Sequence, residues 1–269
     1  MAPTVHLVRH AQGFHNLSMS NHNMPDPLLT DLGKDQCRKL QSSFPHMDKV
    51  DLVVASPIKR TVYTALLSFA SVIKSKNLKV IALPELQETS DLPCDTGSSV
   101  EEVEREFSGQ PVDLSLLHAD WNNKKGRWAP NARAIEARAR DARKWLAERK
   151  EKHIVVVTHG GFLHYFTEDW TGSNKFAGAL YRLSQLKRHR QGRLLISKLG
   201  TGWANTEFRT YTIQGVTDKD AKLVETAESR RLRDAKPLSK EEQENLKETT
   251  QKSWGADGYE KAQEIEAKV

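Results

Sequence analysis

Cysteine is scarce: Cys37 and Cys94 are the only two, with no CxxC pair and no framework spacing. That excludes a disulfide-stapled scaffold and points to free thiols in a reducing compartment. Long apolar runs are missing as well. The stretch from Met1 to His10 reaches charged and polar side chains too soon for a signal-peptide core or a membrane helix, so the cytoplasm is the expected address. There is no GxxxxGK[ST] loop to anchor nucleotide-driven kinase or ATPase chemistry. No HExxH or comparable ligand spacing supports a metal centre, although ten histidines invite one. Neither a cofactor nor a metal is expected, and no internal repeat is visible.

What is present suits a globular α/β protein. A chain of 269 residues that is 38% hydrophobic and 28% charged is long enough for one large domain with appendages. The formal net charge of +6 suits an anionic substrate. Arg and Lys are spread along the chain rather than gathered in a stripe, so neither nucleic acid nor a membrane is expected as a partner. Oligomeric state is not legible.

Short apolar runs alternate with helical stretches. Thr4 to Val8 reads as a strand that ends in Arg9 and His10 and opens a polar loop reaching Thr30. Thr30 caps a helix from Asp31 to about Ser43, which Pro45 stops. Asp51 to Ala55 is a second strand. Ser56-Pro57 reads as an N-cap with proline at the first helical position, opening a helix to about Ser75. Lys79 to Leu83 reads as a third strand, and Ser99 with Glu102 as a capping box. The pattern is lost between Gly109 and Pro130, and Asn131 to Lys150 is helical. His153 to Val157 is the most β-branched run of the chain. Phe176 to Lys198 reads as helix then strand, and Glu207 to Ile213 as a late strand. The expected fold is a three-layer α/β architecture, a mostly parallel central sheet with helices on both faces, whose ligand sites lie at the carboxyl ends of the strands. A catalytic unit of residues 1–215 would be followed by a charged extension, 216–269, of surface helices or partly disordered chain outside the core, with Ser239 and Glu242 forming another capping box.

Three strand ends then carry the chemistry. Leu7-Val8-Arg9-His10 delivers a guanidinium beside a nucleophilic imidazole, with Asn16 shortly after. Ser56-Pro57-Ile58-Lys59-Arg60 puts Arg60 in the first turn of a helix, where backbone N–H groups and the macrodipole attract anions. Val155-Val156-Val157-Thr158-His159-Gly160-Gly161 ends a strand on a second imidazole and lets backbone approach a ligand. Two histidines and two arginines thus converge on one sheet edge, which is what a phosphoryl pocket needs.

These motifs, together with Leu86-Gln87-Glu88, resemble the histidine phosphatase superfamily, branch 1, the phosphoglycerate-mutase-like proteins, from about Thr4 to His164. The resemblance implies that His10 is the nucleophile. It implies that Arg9, Arg60 and His159 hold phosphoryl oxygens, aided by Asn16 and the Gly160 amide, and that Glu88 is the acid–base residue; Glu85, Asp91 and Asp95 share its loop. The expected activity is metal-independent hydrolysis of a small phosphorylated substrate through a phosphohistidine. His10 should be neutral and His159 protonated, their environments driving the two pKa values apart. Ala11 stands where the family usually has glycine. The rival readings are a mutase, against which Thr89 to Thr96 lacks the basic, tyrosine-containing segment of such enzymes, and a non-catalytic binding protein on the same fold. Specificity is expected from Phe14 to Pro27, Asp91 to Ser99, Trp121 to Trp128 and the insertion from Phe176 to Gly200.

Overall fold

The structure is a computed structural model that describes residues 3–173, 202–217, 219–233 and 236–261. The helix and strand expected over 176–198, and the insertion containing them, lie outside the described residues. Five strands form the parallel part of one sheet: β1 (Thr4–Arg9), β2 (Leu52–Ala55), β3 (Val80–Ala82), β4 (Val112–Asp113) and β5 (His153–Thr158). Two more, β6 (Phe208–Gln214) and β7 (Lys222–Glu225), each run antiparallel to the neighbour before them, in the order β4-β3-β2-β5-β1-β6-β7. Every residue of β2 and all but the first of β5 are buried, because these strands are covered on both faces. β6 instead alternates buried and half-buried positions, the mark of a strand near a sheet edge.

Successive residues of each strand serve opposite layers. Val53 and Val155 pack with Leu40 of α1 (Asp31–Ser43), Val62 of α2 (Lys59–Ser68) and Phe69, just ahead of α3 (Ala70–Ser75). Val54 and Val156 pack on the other side, where α5 (Ala132–Ala147) supplies Ile135 and Leu146 and α6 (Gly160–Thr167) supplies Phe162 and Phe166. Helix starts follow local chemistry. The Thr30 hydroxyl accepts the Gly33 N–H at 3.0 Å, and Asn131 accepts that of Ala134 at 3.0 Å. Ser99 and Glu102 exchange reciprocal bonds at the start of α4 (Val100–Glu106).

Four expectations are corrected. Ser56 is not an N-cap: α2 begins at Lys59 after Ile58, and the Ser56 hydroxyl is engaged by a histidine instead. The helix expected to continue to Ser75 breaks at Phe69, where φ is −118°. The patternless stretch contains β4, whose two residues are too short for any periodicity to register. The segment after 216 does not lie outside the core: β7 completes the sheet, and Ala221, Leu223 and Trp254 are buried in the same cluster as Val54 and Val156. Its helices, α7 (Ala227–Leu232) and α8 (Lys240–Ala256), are mostly exposed, which is why they read as polar surface. α8 starts on the reciprocal Ser239 and Glu242 pair.

Candidate active site

The carboxyl ends of β1, β2 and β5 meet because these strands are neighbours in parallel register, with Arg9 opposite Thr158 and Ala55 opposite Val157. The residues that follow each strand are therefore neighbours in space. The His10 backbone N–H donates to the Thr158 carbonyl at 2.9 Å, and the His10 and His159 rings lie 5.3 Å apart.

His10 is buried, and its Nδ1 lies 2.7 Å from its neighbour's carbonyl, that of Ala11. A carbonyl only accepts, so Nδ1 carries the proton and Nε2 keeps its lone pair. The Ala11 N–H donates to Thr64 Oγ1 at 3.0 Å, while the Ala11 methyl sits in a small apolar cluster with Leu29 and Cys37. The extra carbon relative to glycine is thus accommodated by packing. Asn205 Nδ2 donates to the His10 carbonyl at 2.9 Å, and Arg9 Nη1 donates to the Trp203 carbonyl at 2.5 Å. Residues after 201 therefore fix the loop that carries His10, a contribution with no motif to announce it.

Arg60 is buried and bonded at both outer nitrogens. Nη1 donates to the Cys94 carbonyl at 2.5 Å; Nη2 donates to Asp95 Oδ1 at 2.9 Å and faces His159 Nδ1 at 3.0 Å. Since a guanidinium only donates, Nδ1 of His159 accepts and its Nε2–H donates to Ser56 Oγ at 2.9 Å. Burial first, then the positive charge of Arg60, holds both His10 and His159 well below the ordinary histidine value. Both are shifted in the same direction, so the protein's own groups do not favour the protonated His159 expected from the sequence, because both rings are buried beside the same guanidinium. Burial also lowers Arg9, to about 10, which still leaves it charged at neutral pH.

Glu88 is held at the start of α6. Its carboxylate accepts the N–H groups of Gly161 at 3.1 Å, Phe162 at 2.8 Å and Thr89 at 3.0 Å. Those bonds favour the charged form, but burial and the nearby Asp95 charge outweigh them and raise its pKa. The other carboxylates of the loop are paired: Glu85 with Arg127, Asp91 with Lys261, and Asp95, which also lines the cavity, with Arg60. Arg138, buried in α5, clamps the loop by donating to the carbonyls of Glu85, Gln87 and Glu88.

The structure brings Arg9, His10, Arg60 and Glu88 to the wall of one cavity, with Asn16 at its exposed rim. His159 lies behind Arg60 and against His10. Gly160 opens α6, while its neighbour Gly161 is the glycine at the cavity wall. Asn16 Oδ1 caps its own loop by accepting the Gly13 N–H at 3.1 Å. Sequence reading missed Asp95 as the Arg60 anchor, and Trp254 and Tyr259, which reach the cavity from the extension. Among the described residues, no group of three histidine, cysteine, aspartate or glutamate side chains is placed to hold a metal ion.

A mostly parallel sheet presenting two histidines, two arginines and a half-buried glutamate at one edge defines a class of phosphoryl-handling protein, and the family comparison agrees. The family model of the histidine phosphatase superfamily (branch 1) matches residues 5–194, and the chain belongs to that superfamily. It is similar to a phosphoglycerate mutase-like protein of Arabidopsis thaliana, 33% identical over 200 residues, covering 60% of this chain and 72% of the relative. It is also similar to a probable phosphatase of Schizosaccharomyces pombe, 30% identical over 168 residues, covering 61% and 76%. Among solved structures, a phosphoserine phosphatase of Entamoeba histolytica in complex with phosphoserine aligns over 84% of this chain and 97% of that one, with 14% identity and a TM-score of 0.43. Likeness at that level carries no inference about substrate.

Proposed function

We propose that this protein is a phosphatase that hydrolyses a phosphate monoester through a phosphohistidine on His10, without a metal. The observation that carries the reading is the Nδ1–H bond from His10 to the Ala11 carbonyl, which leaves Nε2 as the nucleophilic lone pair beside Arg60 and His159. In the first step Nε2 attacks phosphorus, the P–O bond to the alcohol breaks, and Glu88 gives its proton to the departing oxygen. In the second, the Glu88 carboxylate takes a proton from water, the oxygen attacks phosphorus, and the P–N bond breaks to release inorganic phosphate and restore His10. The raised pKa of Glu88 supports the first role, since a protonated carboxyl must be accessible near neutral pH.

Arg9, Arg60, His159, Asn16 and the Gly160 amide are assigned to the phosphoryl oxygens. Arg9 Nε and Arg60 Nε support this, being buried donors without a protein acceptor. Each unpaired donor costs about 1–3 kcal/mol, which a phosphoryl oxygen would offset. A bound dianion would also favour a protonated His159, whose Nδ1–H would then have to turn from Arg60 toward the anion, since Nδ1 accepts from Arg60 in this structure. The probable phosphatase among the relatives supports hydrolysis over mutation, and two buried free cysteines suit the cytoplasm.

The test is hydrolysis of an aryl phosphate in EDTA by the wild type, His10→Ala and Glu88→Ala, with base-quenched samples analysed for phosphohistidine. His10-dependent turnover with a trapped phosphoenzyme is expected. Transfer to 3-phosphoglycerate in the presence of its bisphosphate, without net phosphate release, would mark a mutase instead.

A further inference from the structure

The cavity above the phosphoryl groups is closed on one side by the segment that follows α8. The chain turns back there, with the N–H groups of Tyr259 and Glu260 donating to the Trp254 carbonyl at 2.9 and 3.3 Å. It is then pinned to the body at three points. Tyr165 OH donates to Glu260 Oε2 at 2.7 Å, the Lys261 N–H donates to the Pro130 carbonyl at 2.6 Å, and the Lys261 ammonium pairs with Asp91. This strap holds Trp254 and Tyr259 against the cavity.

Tyr259 meets the opposite rim. Its ring lies 6.0 Å from that of His22, and its hydroxyl is 3.5 Å from His22 Nδ1. The His22 ring lies 6.4 Å from His15, and His15 lies 5.3 Å from His10. A continuous row of rings therefore runs from the nucleophile to the mouth. Burial, then the charge of Arg60, keeps His15 neutral, and burial raises the Tyr259 phenol to about 12, so it too is uncharged. Among the residues described as lining the cavity, the lysines and arginines are Arg9 and Arg60, both committed to the phosphoryl end. Lys261, the basic residue of the strap, is neutralised by Asp91. Among the described residues, a second anionic group on the substrate would find no further lysine or arginine in the cavity lining, Lys124 reaching the Glu88 carbonyl at 3.5 Å without lining the cavity, whereas a ring would find faces and edges to pack against.

We propose that the row His15, His22 and Tyr259, backed by Trp254, is the leaving-group subsite, and that the alcohol it takes is uncharged and ring-bearing rather than a carboxylate- or phosphate-bearing one. Tyr259 is the specificity-determining residue. The proposal rests on the hydrolase reading above and adds the class of ester to it.

The test compares 2-phenylethyl phosphate with glycerol 3-phosphate and 3-phosphoglycerate at about pH 8, above the ordinary histidine range. All three are esters of primary alcohols, so leaving-group basicity does not separate them. In the wild type, kcat/KM for the phenylethyl ester is expected to exceed that for each of the others by about tenfold, the scale of one aromatic contact. In Tyr259→Ala that ratio collapses toward one through KM, while Tyr259→Phe and Tyr259→Trp, which keep a ring, retain it. A variant that is merely poorly folded loses activity on all three esters alike and leaves the ratio where it was. The ratio, not the rate, is therefore the reading. His10-dependent turnover that favours 3-phosphoglycerate, or a ratio indifferent to Tyr259→Ala, overturns the subsite while leaving the hydrolase reading intact. No His10-dependent turnover of any ester overturns the hydrolase reading, and the subsite with it.

Discussion

Gly161 and Glu88 are packed so closely that a methyl group on the glycine would lie 2.7 Å from Glu88 Oε1. The same glycine donates its N–H to Glu88 Oε2. Its lack of a side chain therefore decides where the glutamate sits, by close approach rather than by backbone freedom. Gly161→Ala should displace the carboxyl group and cost general acid catalysis, typically worth about 10²-fold or more. The loss should appear in kcat for an alkyl phosphate and be much smaller for 4-nitrophenyl phosphate, whose leaving group needs no proton. Equal losses on both esters would show that Gly161 shapes the phosphoryl site rather than the acid.

Asp95 anchors Arg60 through a buried ion pair at 2.9 Å and is itself held by Ser90 Oγ at 2.6 Å. Asp95→Asn keeps the shape but removes the charge. Arg60 should be less firmly aimed, raising KM for phosphate esters by about tenfold, the cost of a weakened charge-assisted bond. Asp95 also raises the Glu88 pKa, so its neutralisation lowers that pKa. Because the acid step needs protonated Glu88, the alkaline limb of kcat should move to lower pH. A pH–rate profile that keeps its alkaline limb would remove Glu88 from the acid role or Asp95 from its neighbourhood.

His6 lies far along β1 from the site, stacked against both His46 and His153, whose rings are also neighbours at 6.5 Å. Burial, followed by the charges of His46 and His153, lowers its pKa from 6.5 to about 3. Its folded form binds fewer protons than the unfolded chain between those values. The stability it permits is thus complete above about pH 6.5 and is lost as pH falls through the unfolded value. His6→Asn should flatten the dependence of unfolding free energy on pH by up to about 1.4 kcal/mol per pH unit between about pH 6 and 4. Urea titrations across that range give the slope directly. An unchanged slope would mean that His6 is protonated in the folded protein.

Trp254 is 4% exposed and packs at tilted angles against Tyr165, Trp170 and His164. Trp254→Ala should destabilise the protein by about 3–5 kcal/mol, as expected for a large aromatic removed from a core. A chain cut at residue 215 should not fold, since it loses β7 as well. A soluble, cooperatively unfolding fragment of residues 1–215 would show that the extension is an appendage after all.

Much of the fold was readable because the signals were local. The Thr30 cap, the Ser99 and Ser239 capping boxes and the β-branched run at His153 each specify backbone geometry within a few residues. Arg9, His10, Arg60 and His159 were readable for a related reason. Arg9 ends β1, His10 and His159 directly follow β1 and β5, Arg60 lies in the first turn of α2, and parallel strands deliver such residues to one edge. Ser56 misled because serine before proline usually caps a helix, whereas here a histidine about a hundred positions further along the chain takes its hydroxyl. Nothing near Ser56 in sequence could signal that partner.

The sequence by itself determined which residues would meet at one edge of the sheet, because motif, strand end and helix start are properties of neighbouring residues. Only the tertiary structure decided which tautomer His10 adopts, that Glu88 sits on the N–H groups of α6 while Asp95 pairs with Arg60, and that a polar-looking extension supplies Trp254 and Tyr259 to the wall. Those outcomes depend on hydrogen bonds and packing between segments far apart in the chain. Their free energies exist only once the sheet has brought the segments together.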